Sequence, residues 1–150
     1  MSQILATEEM PVLGHKYNKS NLTIIIPKEY KGYPVVAIKN EAFKKETRIK
    51  SVNISDNISV IGYEAFSECK SLTNIEIPTS VDTIRDCAFK GCTSLTSIVI
   101  PINVEYMGNY VFNNCTNLTV YCVAPGKPDK WDDDWGGNVN KIVWYYKNNK

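Results

Sequence analysis

Apolar and polar positions alternate in short runs that return at a fixed interval. Phe43, Phe66, Phe89 and Phe112 stand 23 residues apart. Ala42, Ala65 and Ala88 precede three of them, and Val111 precedes the fourth. Three positions after each Phe come Glu46, Cys69, Cys92 and Cys115, and six after come Ile49, Leu72, Leu95 and Leu118. Counting on at the same interval gives the columns Val52, Ile75, Ile98, Tyr121 and Ile54, Ile77, Ile100, Val123. Ile58, Val81, Val104 and Ile38, Ile61, Ile84, Met107 complete the set. Columns this deep mark a repeat architecture, and the repeat has to be recognised before any local element is assigned.

Within a repeat, Leu72–Ile77 and Leu95–Ile100 alternate as short, half-buried strands do. Pro78 and Pro101 follow at once and end the strand, because proline cannot donate to a ladder. Val81–Ile84 supplies a second short extended piece. The A-F-x-x-C piece has the i, i+3 spacing of one helical turn packed inward. A single coil cannot bury its own apolar face, whereas stacked coils about 4.8 Å apart can. The pattern predicts a repeat solenoid of about four coils, with short parallel strands and short helical turns. The expected organisation is one domain over 1–150. It has a lead-in over 1–21, repeat coils over 22–123 and a C-terminal cap over 124–150.

The unit L-T-x-I-x-I-P-x-x-V-x-x-I-x-x-x-A-F-x-x-C-x-S resembles the BspA-like, or Treponema-type, leucine-rich repeat. Ile26-Pro27 and Tyr30-Lys31-Gly32-Tyr33-Pro34-Val35-Val36-Ala37-Ile38 look like that family's opening coil, lengthened by about five residues at Lys28–Gly32. The ending, with Pro128, Trp131, Asp132, Trp135 and Val143-Trp144, resembles the closing segment of bacterial members. The resemblance covers about residues 20–147. It implies a right-handed leucine-rich-repeat superhelix and a non-catalytic module for protein binding or adhesion, on the cell surface or secreted. The partner would be a protein or a host or matrix ligand, with a glycan as a further class. Glu46 departs from the pattern, standing where a Cys or small residue is usual.

Composition narrows the picture. Hydrophobic residues make up 43% of the 150, enough for a packed core. Seventeen basic against sixteen acidic residues leave a net charge of +1. That is no footprint for nucleic acid and no polybasic membrane anchor. No apolar run approaches the roughly 20 residues of a membrane-spanning helix. The opening Met1–Pro11 lacks the basic start and apolar stretch of a secretory signal. The alternative to adhesion is therefore an intracellular scaffold or docking protein using the same repeat surface.

Strand alternation sorts residues between core and solvent. The outward columns are Thr23, Ser51, Asn74, Ser97, Val120 and Ile25, Asn53, Glu76, Val99, Cys122. From these, Ser51, Asn53, Asn74, Glu76, Ser97 and Val99 are the candidate partner-binding surface. The apolar end at Val99, Val120 and Cys122 is expected to lie under the C-terminal tail, with Trp131 and Trp135 sealing the core. Asp129, Asp132, Asp133 and Asp134 lack the spacing of a calcium loop and read as a solvated turn. Cys69, Cys92 and Cys115 are expected as buried thiols, because stacked parallel Cβ vectors do not suit a disulfide. Cys87 is the candidate exposed thiol. His15, the one histidine, stands apart from any nucleophile at an arguable spacing. No catalytic set, metal site or cofactor is expected.

Overall fold

The computed structural model describes residues 4–6 and 22–147. The expectation for His15 and most of the lead-in falls outside these residues. The chain winds into a solenoid of about five turns built from two ribbons of parallel strands. The front ribbon contains β2 (Leu22–Ile26), β5 (Ile49–Ile54), β7 (Asn74–Glu76), β9 (Ser97–Ile100), β11 (Thr119–Cys122) and β12 (Lys141–Val143). The side ribbon contains β1 (Ile4–Ala6), β4 (Tyr33–Ile38), β6 (Val60–Ile61), β8 (Thr83–Ile84) and β10 (Tyr106–Met107), joined in that order. The stack is longer than the periodicity predicts. Irregular pieces without the repeat signature add rungs at both ends: β1 pairs with β4, and β12 pairs with β11.

The insertion at Lys28–Gly32 is a hairpin. β3 (Glu29–Tyr30) pairs antiparallel with β4, and Lys31 and Gly32 turn between them at φ of 51° and 82°. Two positive φ values match the twist of the flanking strands in a two-residue hairpin loop.

The A-F-x-x-C pieces are turns, and no helix occurs among the described residues. Their backbone N–H groups take partners alternately. Ala65, Ser67 and Cys69 bond three residues back, to Gly62, Glu64 and Phe66. Glu64, Phe66 and Glu68 instead donate across to Asp86, Ala88 and Lys90 of the next coil, at 3.0, 2.8 and 2.6 Å. A helix would spend every N–H within the coil, whereas this pattern divides them between the turn and its neighbour. It requires left-handed residues on both sides of the Phe: Glu64 and Glu68 have φ of 50° and 61°, and Glu41, Cys87 and Tyr110 repeat the first of these positions.

The core fills the space between the ribbons and the turns. Phe43, Phe66, Phe89 and Phe112 stack at 5.4, 5.5 and 5.6 Å between ring centroids, within 10° of parallel. Trp135 closes the stack edge-on against Phe112 at 6.1 Å. Trp131 packs on Trp135, and its indole N–H donates to the Val104 carbonyl at 3.0 Å. Both tryptophans are buried.

One expectation is corrected at the last coil. Val120 and Cys122 are fully buried, and Tyr121 faces outward against Tyr146. The front strands there pair Val120 with Ile98 and Cys122 with Ile100, an offset of 22 residues. One residue is missing between Leu118 and Val120 relative to the other repeats, and a one-residue slip exchanges the two faces of a strand.

Candidate functional site

The front ribbon positions the six candidate surface residues. Ser51 pairs with Asn74 and Asn53 with Glu76, so these four form a square on adjacent strands. Asn53, Asn74, Glu76 and Ser97 are exposed, and Ser51 and Val99 are half-buried. Thr119 and Tyr121 continue the face beyond Ser97 and Val99, in place of Val120 and Cys122.

The front ribbon is two three-stranded sheets, β2-β5-β7 and β9-β11-β12. β7 and β9 lie side by side without a ladder between them. The side ribbon and the turns remain hydrogen-bonded across the same pair of coils, through β8–β10 and through Phe89 N–H to Val111. The coils therefore splay only at the front. The split opens a cleft of about 350 Å³ whose walls include Asn74, Glu76, Ser97 and Val99. Ile102, 62% exposed, extends its apolar rim. Four of the six residues singled out from the alternation thus meet in one cleft, and Ser51 and Asn53 border it on the next strand.

Other candidates resolve into structural roles. The thiols of Cys69, Cys92 and Cys115 are buried, and each donates to the carbonyl of the Phe one coil back, Phe43, Phe66 and Phe89, at 3.1–3.2 Å. Burial pushes Cys69 up to about 12, and the Cys115 sulfur together with burial holds Cys92 well above the ordinary thiol range. Cys87 is half-buried rather than fully exposed. Partial burial, with the Glu64 and Asp86 carboxylates, raises its pKa and keeps it a thiol. All five cysteines are free.

Two cations beside the first turn, Lys44 and Arg48, are paired with neighbouring acids. Lys44 bridges Glu41 and Glu64, which raises the ammonium pKa and lowers that of Glu64. Arg48 binds Glu46 through two side-chain contacts at 2.7 and 2.8 Å, lowering the Glu46 pKa. In the acidic turn, Asp133 pairs with Lys127 at 3.0 Å and Asp132 accepts from the Asp134 N–H. Among the described residues no group of three or more His, Cys, Asp or Glu is placed to hold a metal, and no helix is long and apolar enough to cross a membrane.

Parallel rungs with in-register aromatic, thiol and aliphatic ladders define the class: this is a leucine-rich-repeat solenoid. The BspA-type leucine-rich-repeat family model matches residues 17–126 in six copies, and the chain belongs to that family. The fold is similar to a crystal structure of a leucine-rich-repeat protein from Treponema pallidum. The identity is 27% and the TM-score 0.66, over 83% of this chain and 52% of that one. A leucine-rich-repeat protein from Bacteroides ovatus shares 29% identity with a TM-score of 0.67, over 81% of this chain and 30% of that one. The pneumococcal vaccine antigen PcpA, at 22% identity and a TM-score of 0.66, shares the fold over 88% of this chain and 32% of its own. The chain thus spans about half the length of the treponemal protein and under a third of the Bacteroides one. No curated protein matches significantly. Repeats of this family are protein-interaction modules, on a fold that is typically non-catalytic.

Proposed function

We propose that the chain is a non-catalytic binding module whose protein partner docks on the front strand face at the cleft between β7 and β9. The observation that carries this reading is the interrupted sheet, which gathers Asn74, Glu76, Ser97 and Val99 around one opening. Glu76 is the one charged group among those six residues. The fitting partner therefore presents a basic side chain to Glu76, hydrogen-bonding groups to Asn53, Asn74 and Ser97, and an apolar residue to Val99 and Ile102. Interfaces of this kind place an apolar contact inside a polar rim.

A photo-crosslinking residue at Ser97 in the native cell tests the site. The expected result is one dominant protein adduct that Glu76→Arg abolishes without changing the melting temperature. The same adduct from a crosslinker at Lys45, on the opposite side, would remove the assignment. Adhesion to a host or matrix protein and intracellular docking are two settings for this surface. Protease shaving of intact cells separates them: loss of the chain before lysis supports adhesion, and protection until lysis supports the scaffold.

A further inference from the structure

The side ribbon carries a second surface, independent of the front cleft. Ala37, Val60, Thr83 and Tyr106 are in register along it. Two positions on, the column reads Lys39, Gly62, Arg85, Gly108, so cations alternate with positions that lack a side chain.

Packing explains the alternation. The Asn40 Oδ1 accepts from the Tyr63 N–H of the next coil at 2.8 Å, and the Asp86 carboxylate accepts from the Asn109 N–H at 3.1 Å. Each crosses to the next coil where a Cβ would stand. A Cβ on Gly62 would come within 2.6 Å of the Asn40 nitrogen and the Ile38 oxygen. One on Gly108 would meet the Asp86 carboxylate and lie 2.6 Å from the Asp86 nitrogen. Tyr63 has no such carboxyl or amide group, and Arg85 is accommodated on the coil that follows it.

Two open depressions result, of about 360 and 470 Å³, and Arg85 borders both. In the first, Lys39 and Arg85 stand on either side of Gly62, two coils or about 10 Å apart along the stack. In the second, Arg85 is joined by Tyr63 and Tyr106, which are 42% and 43% exposed. Lys39 and Arg85 make no side-chain hydrogen bond or ion pair among the described residues. Of the nearby acids, Glu64 pairs with Lys44, Asp82 accepts from the Thr83 hydroxyl at 2.7 Å, and Asp86, which lines the second depression, accepts from the Asn109 N–H at 3.1 Å. Asp82 and Asp86 keep their charge, so an anionic group has to meet Arg85 on the side away from them.

We propose that this trough binds an acidic polysaccharide, a chain of sugars carrying carboxylate or sulfate groups. The guanidinium of Arg85 is suited to paired hydrogen bonds with a carboxylate or sulfate. Tyr63 and Tyr106 offer flat rings with an apolar face and a polar tip, which suit the face and hydroxyls of a pyranose. Lys39 would meet the next anionic group along the chain. The two depressions follow one another across the coils and meet at Arg85, so an extended polymer can lie along both.

The test is calorimetry of the full chain with chondroitin sulfate and with polygalacturonate, using dextran as the neutral control. Binding to at least one acidic polymer and none to dextran is expected, and the preferred polymer tells sulfate from carboxylate. Arg85→Ala should weaken that binding tenfold or more, the range for a hydrogen bond to a charged group. Tyr63→Ala and Tyr106→Ala should each weaken it several-fold. Lys50→Ala with Lys90→Ala, two cations outside the trough, should leave it unchanged. Binding to neither polymer, equal loss in the Lys50/Lys90 control, or tighter binding of a phosphoserine peptide would each overturn the proposal. Arg85, Tyr63 and Tyr106 are exposed, so unchanged melting temperatures separate lost binding from lost folding. The outcome is independent of the Glu76 test, which reads the other face.

Discussion

The turn side and the strand side of the same coils are built to different tolerances. On the turn side the Phe stack, the thiol-to-carbonyl bonds and the crossing N–H bonds recur coil after coil, with ring spacings that differ by 0.2 Å. On the front, the sheet breaks between β7 and β9 and slips by one residue at β11. The difference locates the rigidity. Stacking is enforced where buried rings and buried polar groups must both be satisfied in every coil. The front strands need only keep alternate residues inward, so their outward residues and their pairing are free to vary. Variation needed for binding is cheapest there.

The largest effect expected from this contrast is at the Phe stack. Phe89 has a stacked ring on each side, whereas among the described residues Phe43 has one only on its Phe66 side. Phe89→Ala should cost about 3–5 kcal/mol, the range for truncating a large core side chain. Phe43→Ala should cost less, because the end of the stack has fewer contacts to lose. Urea denaturation of the two variants measures both. Equal losses would mean that the stack is not the spine of the solenoid.

That spine was the most legible part of the chain, because Phe, Ala and Cys recur there with a constant spacing. The front face was legible only as far as the spacing held. Counting by 23 carried the register through the missing residue after Leu118 and turned Val120 and Cys122 outward. The local alternation Leu118, Val120, Cys122 contains the correct answer, since the core side must stay apolar. The trough on the side ribbon is hard to read from the chain because β6, β8 and β10 are two residues long and the in-register residues Ala37, Val60, Thr83 and Tyr106 share no type. Its one sequence signal is a Gly 22 residues after Asn40 and again after Asp86. The A-F-x-x-C pieces differ from helical turns for a physical reason: i, i+3 spacing describes any tight inward turn, and the positive φ at Glu64 and Glu68 with the N–H bonds to the next coil shows that no helix continues.

A smaller effect tests the crossing carboxyl and amide groups on the side ribbon. Gly108→Ala should cost about 1–3 kcal/mol, as overpacking does, because the new methyl meets both the Asp86 carboxylate and its backbone nitrogen. Gly126 has nothing within 4 Å of a built Cβ, and Gly126→Ala should change stability by less than about 0.5 kcal/mol. Adding Asp86→Ala to Gly108→Ala should recover part of the loss and no more, since the backbone contact remains. Full additivity of the two substitutions would show that the carboxylate is not what excludes the side chain.

The finest comparison is between thiols behind the two sides. Burial pushes Cys69 on the turn side and Cys122 behind β11 both up to about 12. A thiol whose folded pKa lies above its unfolded value holds its proton longer in the native state. Its contribution to stability is complete below the unfolded pKa near 9 and is lost as pH rises towards 12, so unfolding should become easier over that interval. The two thiols differ in how they are held. Cys69 donates to the Phe43 carbonyl at 3.2 Å, whereas Cys122 sits on the slipped strand, whose outer edge is closed by β12 and by the Tyr146 N–H on the Cys122 carbonyl. A disulfide reagent at pH 8 should modify Cys87 first, at the rate of a half-buried thiol, and Cys87→Ser should remove that phase. Cys122 should follow and Cys69 come last, because opening the front strand exposes Cys122 alone while exposing Cys69 requires breaking the stack. Mass mapping of the modified residues over time gives the order. Simultaneous modification of Cys122 and Cys69 would mean that front and back open as one unit, and the looser front would then be a feature of sequence without a counterpart in stability.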